Sequence, residues 1–88
     1  MDRAPKLRYR RTMTEHETLD TTGLLCPLPV LKARKRLKAL ASGSVLRVLT
    51  TDPAAVIDFP HFCAESGHEL LSMDAAADGG HVFLIRRS

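Results

Sequence analysis

The sequence predicts an α+β fold of two layers, a four-stranded mixed sheet with two helices on one face, in the order β-α-β-α-β-β. Three observations carry that expectation. Two segments of helical length have apolar residues along one side only, so each has a single face to bury. Four short segments rich in Val, Leu, Ile and Phe are bounded by turn residues and read as strands. Two one-sided helices and a sheet bury their apolar faces most simply by stacking as two layers.

The first strand is the weakest signal, Glu17 to Thr21, followed by the Thr22-Gly23 turn and the extended pair Leu24-Leu25. The first helix is expected over Pro27 to Ala41, because Val30, Ala33, Leu37 and Leu40 recur at i, i+3, i+7 and i+10. Gly43 stands just past its end, where a left-handed stop carries no Cβ penalty for glycine. Val45 to Thr50 reads as an interior strand. Asp52-Pro53 then has helix-entry chemistry, a capping carboxylate followed by a proline whose missing N–H has no helical partner to lose. The second helix is expected from Pro53 to Ser66, with Val56, Phe59, Phe62, Cys63 and Ser66 on one side, a kink or restart at Pro60, and Gly67 ending it. His68 to Ala76 and His81 to Arg87 read as the last two strands, joined at Asp78-Gly79-Gly80, where a tight hairpin needs the positive φ that glycine supplies.

At 88 residues the chain is sized for one small domain. We place that domain at residues 15–88, after a basic N-terminal extension, 1–14, that is expected to be disordered. The net charge of +3 is concentrated at the front: residues 1–12 hold five basic residues against Asp2 alone, while residues 13–88 hold eight basic against nine acidic. The domain itself is therefore almost neutral. The extension reads as a solvated tail or, alternatively, as an electrostatic arm for RNA or an acidic partner. No apolar run approaches the ~20 residues of a membrane span, and the N-terminus lacks the apolar stretch of a secretory signal, so a cytoplasmic protein is expected. Two cysteines with 36 residues between them make neither a disulfide framework nor a zinc set. His61, Cys63 and His68 lack a fourth ligand at suitable spacing, and no metal or other cofactor is expected.

Cys26-Pro27-Leu28-Pro29 is the segment that points to chemistry. With prolines in the first turn, Cys26 reads as the residue capping the first helix. There its sulfur would meet unsatisfied amides and the positive end of the helix dipole, which lower a thiol's pKa and favour thiolate. Pro27 and Pro29 stiffen the turn beneath it. A small buried hydrophobe is the plain alternative for any cysteine, but one that would have no use for flanking prolines. Lys32, Arg34, Lys35, Arg36 and Lys38 put five positive charges on the same helix, a solvated face that can also steer an acidic partner. Cys63 shares its register with Phe59 and reads as core, and the absence of Cys-x-x-Cys leaves no resolving thiol. Asp52 and Asp58 are read as a cap and a solvent-facing position on the second helix rather than as a working carboxylate pair.

These residues resemble the TusA/SirA-like sulfur carrier family. The likeness starts at Thr18-Leu19-Asp20 and runs through Gly23-Leu24, Cys26-Pro27-Leu28-Pro29-Val30 and Lys35. It continues at Asp52-Pro53, Asp58, Pro60, Phe62-Cys63, His68 and Leu70, spanning essentially all of 17–88. The resemblance implies the same β-α-β-α-β-β sandwich. It also implies that Cys26 accepts sulfur as a persulfide from a cysteine desulfurase or other donor and relays it to an acceptor protein, as a sulfurtransferase component. In one branch the relay ends in tRNA 2-thiouridine; others resemble parts of sulfur oxidation, molybdenum-cofactor or selenium metabolism. Two positions depart from the tRNA-thiolation members: Leu28 stands where some have an acidic residue, and Leu25 where they have arginine. On this reading Cys26 is the reacting residue, Gly23, Pro27 and Pro29 support it, and Leu28, Lys32, Lys35, Arg36 and Asp52 are expected to meet the partner. A monomer making transient contacts suits such a relay.

The alternative of another class is an RNA-binding or regulatory module using the basic tail and the first helix. Aromatics are few, Tyr9, Phe59, Phe62 and Phe83, and the phenylalanines read as core, so stacking platforms for bases are poorly supplied and direct nucleic-acid binding is not expected. A thiol redox sensor is a third reading, which the pKa and peroxide reactivity of Cys26 would expose.

Overall fold

The computed structural model describes residues 16–88. The extension at 1–14 lies outside the described residues. Six elements follow in chain order: β1 (His16–Asp20), α1 (Leu28–Ala39), β2 (Val45–Thr50), α2 (Ala55–Ser66), β3 (Glu69–Ala75) and β4 (His81–Arg86). The sheet order is β1-β2-β4-β3, with β1 parallel to β2 and the other two pairings antiparallel. This is the expected α+β sandwich with a mixed four-stranded sheet.

The core shows why both helices settle on one face. Ala33 and Leu37 of α1 and Ala55, Phe59 and Cys63 of α2 form one cluster with Leu46 and Val48 of β2 and Phe83 and Ile85 of β4. Strand alternation sends those sheet residues inward together, because successive side chains point to opposite faces. At the centre the Phe59 and Phe83 rings stack, with centroids 4.7 Å apart and planes 25° from parallel. Val30 and Leu40 pack at the margin of the cluster.

Element ends differ from the sequence expectation in instructive ways. Helix α1 stops at Ala39, because Leu40 turns extended at φ −92° and ψ 156°. Gly43 is thus no helix cap; at φ 88° it belongs to the following turn, where Ser44 N–H donates to the Ala41 carbonyl at 3.0 Å. Helix α2 begins at Ala55 rather than Pro53, after a turn in which Ala55 N–H donates to the Asp52 carbonyl at 3.0 Å. It runs on through Pro60 without restarting. Gly67 caps it in the left-handed conformation, φ 81°, its N–H donating to the Cys63 carbonyl at 3.0 Å. Ser66, placed on the buried side by its spacing, is exposed instead, and its hydroxyl returns to the Phe62 carbonyl at 2.6 Å.

Two connections position the site. The chain leaves β1 at Thr21, which is fully buried and bonded to the Leu49 carbonyl through both its N–H at 2.8 Å and its hydroxyl at 2.6 Å. Gly23, at φ 83°, then donates its N–H to the Thr51 hydroxyl at 2.9 Å. The loops after β1 and β2 are thereby tied side by side. Cys26 leaves from the first and Asp52 from the second.

Candidate functional site

Cys26 and Pro27 form the corner of a four-residue turn closed by Leu28 N–H donating to the Leu25 carbonyl at 2.9 Å. The Cys26–Pro27 peptide bond is cis. Pro27, not Cys26, is the residue that caps α1, and no side chain supplies a capping bond. The cysteine stands one step outside the position its sequence suggests. Pro29 is fully buried under this corner, so the turn is anchored from below while Cys26 is exposed.

The electrostatics also reverse the sequence expectation. Asp52 is 94% buried, and its carboxylate receives the Cys26 backbone N–H at 2.6 Å and the Ala54 N–H at 3.1 Å. Asp58 stands on the first turn of α2 and lines the same cleft as Cys26. The Asp58 side chain as an acceptor for the thiol pushes the Cys26 pKa above its ordinary value, and desolvation and the negative charges of Asp58 and Asp52 add to it. Cys26 is therefore held as a thiol, not as a thiolate. The carboxyl groups of Asp58 and Asp52 act on the thiol, while the helix terminus that would lower its pKa starts beyond Pro27.

A cleft of about 460 Å³ opens beside the sulfur. Its walls come from Pro27, Val30 and Arg34 of the α1 side and from Asp58, His61, Phe62, Glu65 and Ser66 of α2. Each wall is a stripe at i, i+3 or i+4, and i+7, the spacing that puts side chains on one face of a helix. Arg34, Asp58, His61 and Glu65 bring polar groups to the cleft, and Val30 and Phe62 line it with apolar surface. His61 Nε2 and Glu65 Oε2 pair at 3.2 Å on the rim.

Asp58 and the α2 wall of the cleft are not site residues in the sequence reading, and Arg34 enters it only as one of five charges on the first helix. The 58, 61/62, 65 spacing was legible as a second stripe on α2, but only the fold shows that it faces Cys26. Asp58 faces the cleft it shares with Cys26, not open solvent. Asp52 is likewise buried behind the cysteine instead of presented to a partner.

Leu28 is 46% exposed and Leu25 67%, so the two departures flank Cys26 as surface apolar groups. Lys32 and Lys35 are exposed on α1, while Arg36 is engaged by Glu17 of β1. Cys63 is core, and burial pushes its thiol pKa up to about 11. His61, Cys63 and His68 point apart in function: His61 is on the cleft rim, Cys63 is inside, and His68 Nδ1 accepts the Ser88 N–H at 3.1 Å.

The site is one exposed cysteine on an anchored turn, beside a shallow cleft between two helices packed on a small sheet. The chain belongs to the sulfurtransferase TusA family, whose family model matches residues 17–87. It is 48% identical over 73 residues to the sulfur carrier protein TusA of Allochromatium vinosum, covering 82% of this chain and 93% of that one. It is 51% identical over 69 residues to a putative sulfur carrier protein of Neisseria meningitidis serogroup A, covering 78% and 90%. Among solved structures, the SirA-like protein of Desulfitobacterium hafniense superposes with a TM-score of 0.71 at 26% identity, covering 78% of this chain and 93% of that chain. The protein is a sulfur carrier, with a sulfur donor on one side of its relay and an acceptor on the other. Among the described residues no helix is long and apolar enough to cross a membrane.

Proposed function

We propose that Cys26 carries the sulfur, as a persulfide taken from a cysteine desulfurase or other persulfide donor and passed to an acceptor protein. The observation that carries this reading is the contrast between the two thiols: Cys26 is exposed at an anchored corner, while Cys63 is enclosed in the core. Rigid mounting suits the task, because a carrier's sulfur must enter a partner's active site and a pre-ordered turn lowers the ordering cost of docking. Gly23, Pro27 and Pro29 are assigned to that mounting.

Partner contact is assigned to the surface around the turn. Leu25 and Leu28 supply apolar area beside the sulfur, and the exposed Lys32 and Lys35 supply charge that steers an acidic partner. Arg36 contributes once its pair with Glu17 opens. Asp52 acts on Cys26 from behind. The unit proposed to do this is residues 15–88, as a monomer in the cytoplasm, feeding tRNA 2-thiouridine synthesis or another sulfur-trafficking route.

The test is mass spectrometry of the protein after incubation with a cysteine desulfurase and cysteine. The mass of one sulfur atom is expected on the peptide containing Cys26, and its absence after Cys26→Ser. Sulfur that stays on the Cys26→Ser protein would place the carrier thiol elsewhere.

A further inference from the structure

A carrier thiol flanked by carboxylates poses a chemical problem that the fold itself answers. Sulfur transfer moves a proton at both ends of the relay. When Cys26 attacks the outer sulfur of a donor persulfide, its S–H proton must leave. When an acceptor thiolate attacks the outer sulfur of Cys26-S-SH, the Cys26 sulfur departs and must regain a proton. A sulfur that is poorly stabilised as an anion is a sluggish nucleophile while protonated and a poor leaving group when bare. Two carboxylates create that condition here, and one of them lies where it can relieve it.

We propose that Asp58 is the proton shuttle of the carrier, taking the proton of Cys26 during loading and returning it during unloading. This rests on Cys26 being the sulfur-carrying residue. Asp58 qualifies on geometry. It shares the cleft with Cys26, it is partly exposed, and it stands on the helix facing the turn, so its carboxylate and the incoming sulfur meet on the same side. Asp52 does not qualify, since its carboxylate is buried and occupied by the N–H groups of Cys26 and Ala54. The other titratable or charged groups facing this space are Arg34 from α1 and His61 and Glu65 from α2, and the last two pair with each other.

The step balances without any oxidant. In loading, the bond between Cys26 and the sulfane sulfur forms as the donor S–S bond breaks; Asp58 takes the Cys26 proton, and the donor sulfur leaves as a thiolate. That proton reaches the departing thiolate from Asp58 or water, so the net change is Cys26-SH plus R-S-SH giving Cys26-S-SH plus R-SH. Unloading is the same exchange in reverse, with Asp58 protonating the departing Cys26 sulfur.

The test compares wild type, Asp58→Asn and Asp58→Glu by two readouts. The first is single-turnover loading of Cys26 from glutathione persulfide, followed by mass spectrometry. The second is the pH profile of Cys26 alkylation by iodoacetamide. A shuttle predicts movements of opposite sign in Asp58→Asn. Alkylation at neutral pH becomes several-fold faster, because a negative charge beside the thiol is gone. Persulfide loading becomes slower, by about a hundredfold, the lower end of what a positioned acid–base group contributes. Asp58→Glu restores most of the loading rate. If loading in Asp58→Asn rises in step with alkylation, Asp58 is only an electrostatic brake and the proposal is overturned. Unchanged alkylation together with slow loading would also overturn it, since the carboxylate would then not act on the sulfur. A wild-type protein that takes sulfur away from Cys26 would instead overturn the carrier assignment, a result distinct from either outcome.

Discussion

At the scale of single residues, the chain holds two thiols in opposite environments and for different reasons. Cys63 is surrounded by core side chains, and burial alone lifts its pKa to about 11. Cys26 is exposed, and its pKa is raised by the Asp58 side chain as an acceptor for the thiol together with the charge of Asp58 and Asp52. Both shifts suppress thiolate at neutral pH, so access decides which sulfur reacts. Iodoacetamide on the folded protein is expected to label Cys26 and spare Cys63, with the midpoint of the Cys26 rate against pH shifted above that of an ordinary thiol. Unfolding in denaturant should expose both. Peptide mapping checks the first expectation, and equal labelling of the two in the native state would contradict the core position of Cys63.

At the scale of elements, α2 serves two neighbours at once. One of its faces buries Ala55, Phe59 and Cys63 in the sheet; the adjacent face turns Asp58, His61, Phe62 and Glu65 to the cleft. The helix position is fixed chiefly by Phe59, fully buried and stacked on Phe83. Phe59→Ala removes that ring and leaves a cavity under the site wall, with an expected loss of about 3–5 kcal/mol of stability by urea titration. A loss well below about 1 kcal/mol would mean that the sheet and α2 are held by other contacts. Because Asp58 sits one residue before Phe59, the same variant should disturb the approach of Asp58 to Cys26.

At the scale of the whole molecule, the residues after β4 tie the C-terminus to α1 and to the segment between α2 and β3. The Arg87 guanidinium donates to the Leu37 carbonyl at 2.7 Å, and His68 accepts the Ser88 N–H while its ring lies 5.7 Å from that of Phe62. Desolvation, and then the charge of Arg87, hold the His68 pKa below its ordinary value. A histidine with a depressed folded-state pKa contributes stability that is present above its unfolded value of ~6.5 and lost as pH falls, since the unfolded chain takes the proton more readily. The urea midpoint is therefore expected to drop as pH falls from about 7.5 to 5.5, and His68→Gln to flatten that part of the profile. An unchanged slope in His68→Gln would assign the pH dependence to other groups.

Much of this was legible in the chain itself. The periodicity of Val30, Ala33, Leu37 and Leu40, the hairpin glycines and the strand alternation determined the element order and the two-layer fold, because those signals depend on contacts with a shared core. Cys26 was legible as the presented thiol because prolines follow it directly. What sequence spacing does not contain is the angle at which α2 crosses the turn after β1. Asp58 lies 32 residues from Cys26, and as a lone carboxylate in a helical segment it reads as solvent-facing. Only parallel pairing of β1 with β2 brings the loops after them together, with Asp52 behind the cysteine and Asp58 beside it. The sequence determined which sulfur is displayed; the tertiary structure decided its charge, because electrostatic fields act through space and over a few ångströms, whatever the separation along the chain.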